Sequence, residues 1–292
     1  MTAQHDDRPA ARPAARPAAR LAVSTNTYHS YTLEEALAGI AAAGFTSVEL
    51  SSVPGWTEHV PRNASDAELM RIGDLVASHG LIPISLSGHS DLASESGTVE
   101  FRKALHIAKV LGIRYVTTST GGHDASSDGT IEEQRERFLG VIQPLADEAA
   151  AEGIQICLET HGGVSATGAL AAELALAIDR PNVGVNYDTA NVIFYGGVRP
   201  EDDIGSAAIT ITHLHIKDQI GGPGVWNFPA IGTGEVDFAP IFEALETVNF
   251  TGPCSIELEF QGEPWPPLDE IERALVDSRS FLRTFLPEAA SS

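Results

Sequence analysis

Six of the ten histidines in this 292-residue sequence fall at or just past the end of a β-rich run: His29, His89, His123, His161, His213 and His215. Within the last four such runs, four groups stand out: Glu159 in ICLETHGG, Asp188 in VNYDTAN, His215 in HLHIKD and Glu257 in CSIELEF. A charge inside an otherwise apolar strand is costly unless it is paired or holds a metal. Three carboxylates and one imidazole form a hard-to-borderline ligand set, suiting Mn²⁺, Mg²⁺, Co²⁺ or Zn²⁺ better than copper. Alternation leaves choices open, because His213 and His215 share one strand face, as do Glu257 and Glu259. The more C-terminal histidine lies nearer the strand end; periodicity does not choose between the glutamates.

Such residues need a scaffold that gathers strand ends. Eight β-rich runs recur, at 21–25, 46–51, 82–87, 114–120, 154–159, 183–188, 211–217 and 254–260. Ala/Leu/Glu-rich stretches with helical spacing open near Thr32, Asp66, Thr98, Thr130, Thr167, Pro200 and Asp237, and a last one runs from Leu268 to Phe285. Thr32–Glu35 and Thr130–Glu133 have the spacing of a capping box. The glycines of AAAGFTSVEL, ASHGLIPISL, KVLGIRYVTT and AAEGIQICLE suit the left-handed position that ends a helix. Eight strand–helix units predict an α/β fold, a single-domain (β/α)8 TIM barrel, whose usual size is about 250 residues. The rival is a doubly wound sheet, but its GxGxxG after the first strand is missing. In a barrel the C-terminal strand ends share one face, and catalytic groups gather there.

The barrel is expected over residues 21–287, behind a 1–20 Arg/Pro/Ala tail and before a short 288–292 C-terminal tail. RPAARPAARPAAR places Pro at every fourth position, which blocks helix hydrogen bonding, and reads as disordered. It has no apolar core of the kind a signal peptide carries. No apolar run reaches the ~18 residues of a membrane span. Cys157 and Cys254 lie in apolar strand-like runs and read as buried free thiols of a reducing cytoplasm. The chain carries 18 Lys+Arg against 40 Asp+Glu, a formal net charge of −22. That excess argues against nucleic acid and an anionic membrane as partners. It is compatible with a small molecule and with a bound cation.

ETHGG, NYDTANV, HLHIKD and SIELEF, in this order on the fifth to eighth strands, resemble the sugar phosphate isomerase/epimerase superfamily. This xylose isomerase-like barrel group includes ketose 3-epimerases, inosose dehydratases and isomerases, hydroxypyruvate isomerases and endonuclease IV. The resemblance covers about residues 21–286. It implies Glu159, Asp188, His215 and Glu257 as ligands of one divalent metal ion, Mn²⁺ ahead of Mg²⁺, Co²⁺ or Zn²⁺. The apolar-Ser-apolar run before the family's strand-eight glutamate fits Glu257 better than Glu259. As in the ketose epimerases, Glu159 and Glu257 would also be the acid/base pair. A Lewis-acidic ion polarises a ketone, acidifies the adjacent C–H and stabilises an enediolate. Two bases on opposite sides then epimerise, one shuttling base isomerises, and loss of a β-hydroxyl makes a dehydratase.

The expectation is therefore a divalent-metal-dependent sugar isomerase or epimerase acting on a ketose or related polyol. Its alternatives are a lyase of the same superfamily acting on a keto-inositol or 3-keto-sugar, and a non-catalytic barrel that binds a sugar or a partner. Substrate-binding candidates are His161, Asn191, Lys217, His89, His123, Glu49 and Trp226. Asn191 stands where epimerases and endonuclease IV often carry His. With no His in the loop after His215 either, the three-metal DNA-repair site is not supported. Trp226, in GGPGVWNFPAIGTGEVDF, would either stack on a sugar face or pack its loop down onto the barrel. Lys217, Arg199 and Arg62 are few anchors for a phosphate, so the substrate is expected to be unphosphorylated. Family members often form dimers or tetramers, so a homo-oligomer is allowed.

Overall fold

A parallel strand pair needs a crossover between its members, and here every expected strand is followed by a helix. In the computed structural model, which describes residues 21–121, 130–262 and 264–286, the strands are β1 (Leu21–Ser24), β2 (Ser47–Ser51), β3 (Ile82–Ser87), β4 (Tyr115–Thr118), β5 (Gln155–Glu159), β6 (Val183–Asp188), β7 (Ile211–Ile216) and β8 (Cys254–Ile256). They pair in sequence order, all parallel, and β8 returns to β1 to close the barrel. The helices are α1 (Leu33–Ala42), α2 (Asp66–Ser78), α3 (Glu95–Leu111), α4 (Ile131–Ala151), α5 (Gly168–Ile178), the short α6 (Asn191–Phe194), α7 (Pro200–Ala207), α8 (Phe238–Thr247) and α9 (Leu268–Leu282). This is the predicted single-domain (β/α)8 barrel. The tails expected at 1–20 and 288–292, and His123, lie outside the described residues.

Local chemistry explains the boundaries. The Thr32/Glu35 and Thr130/Glu133 capping boxes both form. Gly112 ends α3 at φ 67°, in the left-handed region that costs glycine no side-chain clash. Several boundaries differ from expectation, among them the start of α3 and the end of β8. α3 starts a turn before Thr98, because the Ser94 hydroxyl caps it by accepting from Gly97 N at 3.0 Å. β8 stops at Ile256, so Glu257 and Glu259 stand just beyond the strand.

Ile, Leu, Val and Phe from the helices pack on the strands' outer faces as one core. Inside the barrel, where branched aliphatics normally dominate, Glu49, Ser85, Asn186, His213 and Ser255 are completely buried. Cys157 and Cys254 are free and buried. Among the described residues, no helix is long and apolar enough to cross a membrane.

Candidate metal centre

The closed register sets the centre. β6 and β7 pair Asp188 with His215, and β5 places Glu159 opposite Asn186. Glu257 N donates to Ile216 O at 3.1 Å, which fixes the chain just past β8. Glu159, Asp188, His215 and Glu257 are all buried, and each offers a ligand atom within 4.8 Å of the others. From His215 Nδ1 the distances are 3.3 Å to Glu159 Oε2, 3.6 Å to Glu257 Oε2 and 4.0 Å to Asp188 Oδ2.

Two of these atoms, His215 Nδ1 and Asp188 Oδ2, are buried without a hydrogen-bond partner. Orphaned buried polar atoms cost about 1–3 kcal/mol each. A divalent ion among the four side chains would remove that cost, and the donor set is one such ions accept. The residues present therefore fit the implied metal.

Glu49 was expected to touch substrate, and the structure corrects this. It is wholly buried beneath the centre, where its Oε1 lies 2.9 Å from His215 Nε2. Its Oε2 accepts from Ser85 Oγ at 2.7 Å and lies 3.1 Å from His213 Nε2. A carboxylate accepts, so His215 carries a hydrogen on Nε2 and turns Nδ1 toward Glu159, Asp188 and Glu257. Metal-binding histidines are commonly oriented this way. His213 lies deeper; its Nδ1 donates to Asn186 Oδ1 at 2.8 Å, and Asn186 Nδ2 donates to Glu159 Oε2 at 3.0 Å. Glu49, His213 and Asn186 thus brace His215 and Glu159, two of the four candidate ligands, from below.

Asn191 and His89 hold Glu159 from other sides. Asn191 Nδ2 donates to Glu159 Oε1 at 2.9 Å, and its backbone N–H donates to Asp188 Oδ1. His89 Nε2 is 2.9 Å from Glu159 Oε2. Burial alone pushes the Glu159 carboxyl up, but His89 and His215 outweigh it and hold it well below the usual range. His215 is the converse: burial disfavours its charge, yet Glu49, Glu159 and Glu257 raise its pKa well above the ordinary value.

Lys217 is buried among carboxylates, 2.7 Å from Glu257, 2.8 Å from Glu259 and 3.3 Å from Asp188. Burial opposes its charge, but Asp188, Glu257 and Glu259 keep the ammonium firmly protonated. Burial, with Glu159 and Glu257 nearby, raises Asp188 despite Lys217. Glu259 sits apart from the four ligand groups. It takes Lys217 and, at 2.9 Å, Asn26 Nδ2, which also donates to Glu257 at 3.1 Å.

Above the centre opens a cavity of about 720 Å³. Of the expected substrate residues, His89, His161, Asn191, Lys217 and Trp226 line it; Glu49 does not. Asn26, Trp56, Tyr195 and Glu259 also line it. Asn26 lies two residues past the end of β1, at the same rim as the other strand-end groups. Nothing in the sequence marked Trp56. Arg62 is no phosphate anchor: its guanidinium donates to Ser52, Ser90, Glu100 and His89 and straps their loops together. Burial lowers its pKa to about 10. Arg199 bonds Glu201 and the Glu235 carbonyl. The GTGE segment wraps the buried Asp218 carboxylate, which accepts from Gly232, Gly234 and Val236 N–H.

A family model described as xylose isomerase-like TIM barrel matches residues 37–285. The chain is similar to an L-ribulose 3-epimerase of Methylomonas sp. (strain DH-1), 27% identical over 238 residues, covering 76% of this chain and 77% of that protein. It is similar to an inosose dehydratase of Clostridium botulinum (strain Alaska E43 / Type E3), 23% identical over 254 residues, covering 78% and 82%. Among solved structures, D-psicose 3-epimerase in the presence of D-fructose superposes with a TM-score of 0.74 at 20% identity, covering 92% of this chain and all of that one. The IOLI protein with a bound zinc atom gives 0.74 at 20% identity, covering 94% and 100%. These structural likenesses establish the fold.

Proposed function

The chain belongs to the xylose isomerase-like TIM barrel family, and on that premise we propose that it is a divalent-metal-dependent epimerase or isomerase of an unphosphorylated ketose or related polyol. One observation carries the reading: His215 Nδ1 and Asp188 Oδ2, both buried and without a hydrogen-bond partner, converge with Glu159 and Glu257 at the floor of a sugar-sized or larger cavity. When bound, the ion, with Mn²⁺ first, supplies Lewis acidity that makes the C–H beside a ketone easier to deprotonate.

The protein's groups do the rest. Glu159 on β5 and Glu257 past β8 come from separated parts of the closed barrel, so they approach the centre from different directions. One takes the proton and the other returns it. Glu159 is kept ionised by His89 and His215, which suits it to act as the base. Lys217 and Asn26 hold Glu257 in place. His161, His89 and Asn191 are placed to meet sugar hydroxyls, and Trp226 to stack on an apolar sugar face. Lys217, held by three carboxylates, has little left for a phosphate. The free thiols fit a reducing cytoplasm.

Lys217 also favours a second reading, a dehydratase. Its buried ammonium touches both glutamates and is placed to hydrogen-bond a departing β-hydroxyl, while Glu257 or Glu259 would supply the proton. Product analysis in D₂O with Mn²⁺ present separates the two. Deuterium gained at a sugar carbon without loss of water supports the epimerase or isomerase. Gain accompanied by an unsaturated or deoxy-diketo product supports the dehydratase, and neither outcome with any ketose or keto-inositol contradicts both.

A further inference from the structure

Beyond the metal centre, the cavity continues along an aromatic wall. Lys217 Nζ lies 5.1 Å from the centre of the Phe228 ring. Phe228 is 5.2 Å from Trp226, and Trp226 is 6.1 Å from Trp56, which is 40% exposed. The wall therefore leads from the reacting carboxylates outward to solvent.

Trp56 is not a loose surface side chain. His29 stacks on it at 4.1 Å with the planes 25° apart. His29 Nδ1 is 2.7 Å from Thr57 Oγ1, which donates to Asn26 Oδ1 at 2.6 Å. Asn26 in turn donates to Glu257 and Glu259. A continuous chain of polar contacts thus ties the Trp56 loop to the centre. An indole held rigidly in the wall of a cavity, with much of its surface bare, is a ready stacking platform. The lining also carries Ser90, Asp91, Ser94 and Ser96, hydroxyls and a carboxylate leading into α3. Flat apolar faces together with hydroxyl partners are what a sugar ring requires. The volume agrees: cavities of roughly 300–1,000 Å³ enclose drug-sized ligands, and a lone hexose is smaller than those.

We propose that the cavity holds a second sugar subsite, built on Trp56 and Trp226, and that the substrate is a glycosylated keto-sugar. The reacting ketose occupies the Glu159–Glu257 centre, and the second ring lies on the tryptophans. This rests on the function proposed above for the centre.

The test compares D-fructose with its 4-O- and 6-O-glucosyl derivatives, maltulose and isomaltulose, by deuterium exchange with the Mn²⁺-loaded protein. At least one two-ring ketose is expected to show a kcat/KM about tenfold or more above D-fructose. Trp56→Ala should lower the two-ring value about tenfold more than the fructose value, mainly through KM. Trp56→Phe, which keeps a flat face, should retain most of the preference. Fructose handled as well as both derivatives, or Trp56→Ala lowering all substrates equally, overturns the subsite and leaves the centre's function standing. No exchange with any of the three, at full metal occupancy, overturns the glycosylated-ketose subsite, and the centre's function then stands or falls separately on exchange with the wider set of ketoses and keto-inositols.

Discussion

Glu49 Oε1 lies 2.9 Å from His215 Nε2, so one wholly buried carboxylate decides which nitrogen of the histidine faces the other ligands. Its partners come from strands on different sides of the barrel, and no water reaches it to replace a lost bond. Glu49→Ala should weaken Mn²⁺ binding about 10–100-fold, the usual cost of losing such a brace. Glu49→Gln, which still accepts through its amide oxygen, should fall between. Isothermal titration of the folded, metal-free variants measures this, and wild-type affinity in Glu49→Ala would count against the assignment.

Lys217 is a resident cation beside four carboxylates, Glu159, Asp188, Glu257 and Glu259. Lys217→Met leaves those charges buried and less compensated. Loss of one partner from such a pair costs about 3–5 kcal/mol. The metal-free variant should melt several degrees below wild type, yet gain more from added Mn²⁺, because a competing positive charge has gone. Thermal unfolding with and without Mn²⁺ checks both signs; a smaller metal-induced rise would contradict the electrostatic account.

Metal binding should depend on pH with a definite sign. Without metal, Glu49, Glu159 and Glu257 raise the His215 pKa well above its ordinary value, against the effect of burial. An ion at Nδ1 must displace that proton. Affinity should therefore rise with pH through the neutral range, with protons released on binding. Titrations in buffers of different ionisation enthalpy read this directly, and pH-independent binding without proton release would refute it.

The two thiols should be inert in the native protein. Burial pushes both Cys157 and Cys254 up to about 12, so the thiolate is scarce at neutral pH as well as inaccessible. A thiol reagent such as DTNB should label neither until denaturant is added, when both react. Rapid native labelling would show that one of these strands opens readily.

The four candidate ligand positions are legible because they are strand-end charges in apolar runs, and strand ends of a barrel must converge. That logic fixes a residue's level along the barrel but not whether it points up into the cavity or down into the interior. Glu49 shows the difference: its register with Ser24 and Ser85 sets it below the centre, where it meets His213 and His215. Its partner His215 lies 166 residues away in sequence, so no local pattern could pair them. Asn26 lies at a strand end but is a neutral amide with no charge to mark it, and its role depends on Glu257 and Glu259 arriving from the far end of the chain. The start of α3 was misplaced by one turn because Ser94 and Thr98 are both acceptable caps, and only the bond from Gly97 N to Ser94 chooses.

Proton exchange by Glu159 tests the central claim most directly. Wild type and Glu159→Gln, both at confirmed Mn²⁺ saturation, would be incubated in D₂O with ketoses and keto-inositols and followed by NMR. Wild type should incorporate deuterium at the carbon beside a ketone, and Glu159→Gln should do so about 10²–10⁴-fold more slowly, the usual worth of a positioned base. Undiminished exchange in the metal-loaded variant, or none in the metal-loaded wild type, would contradict the account.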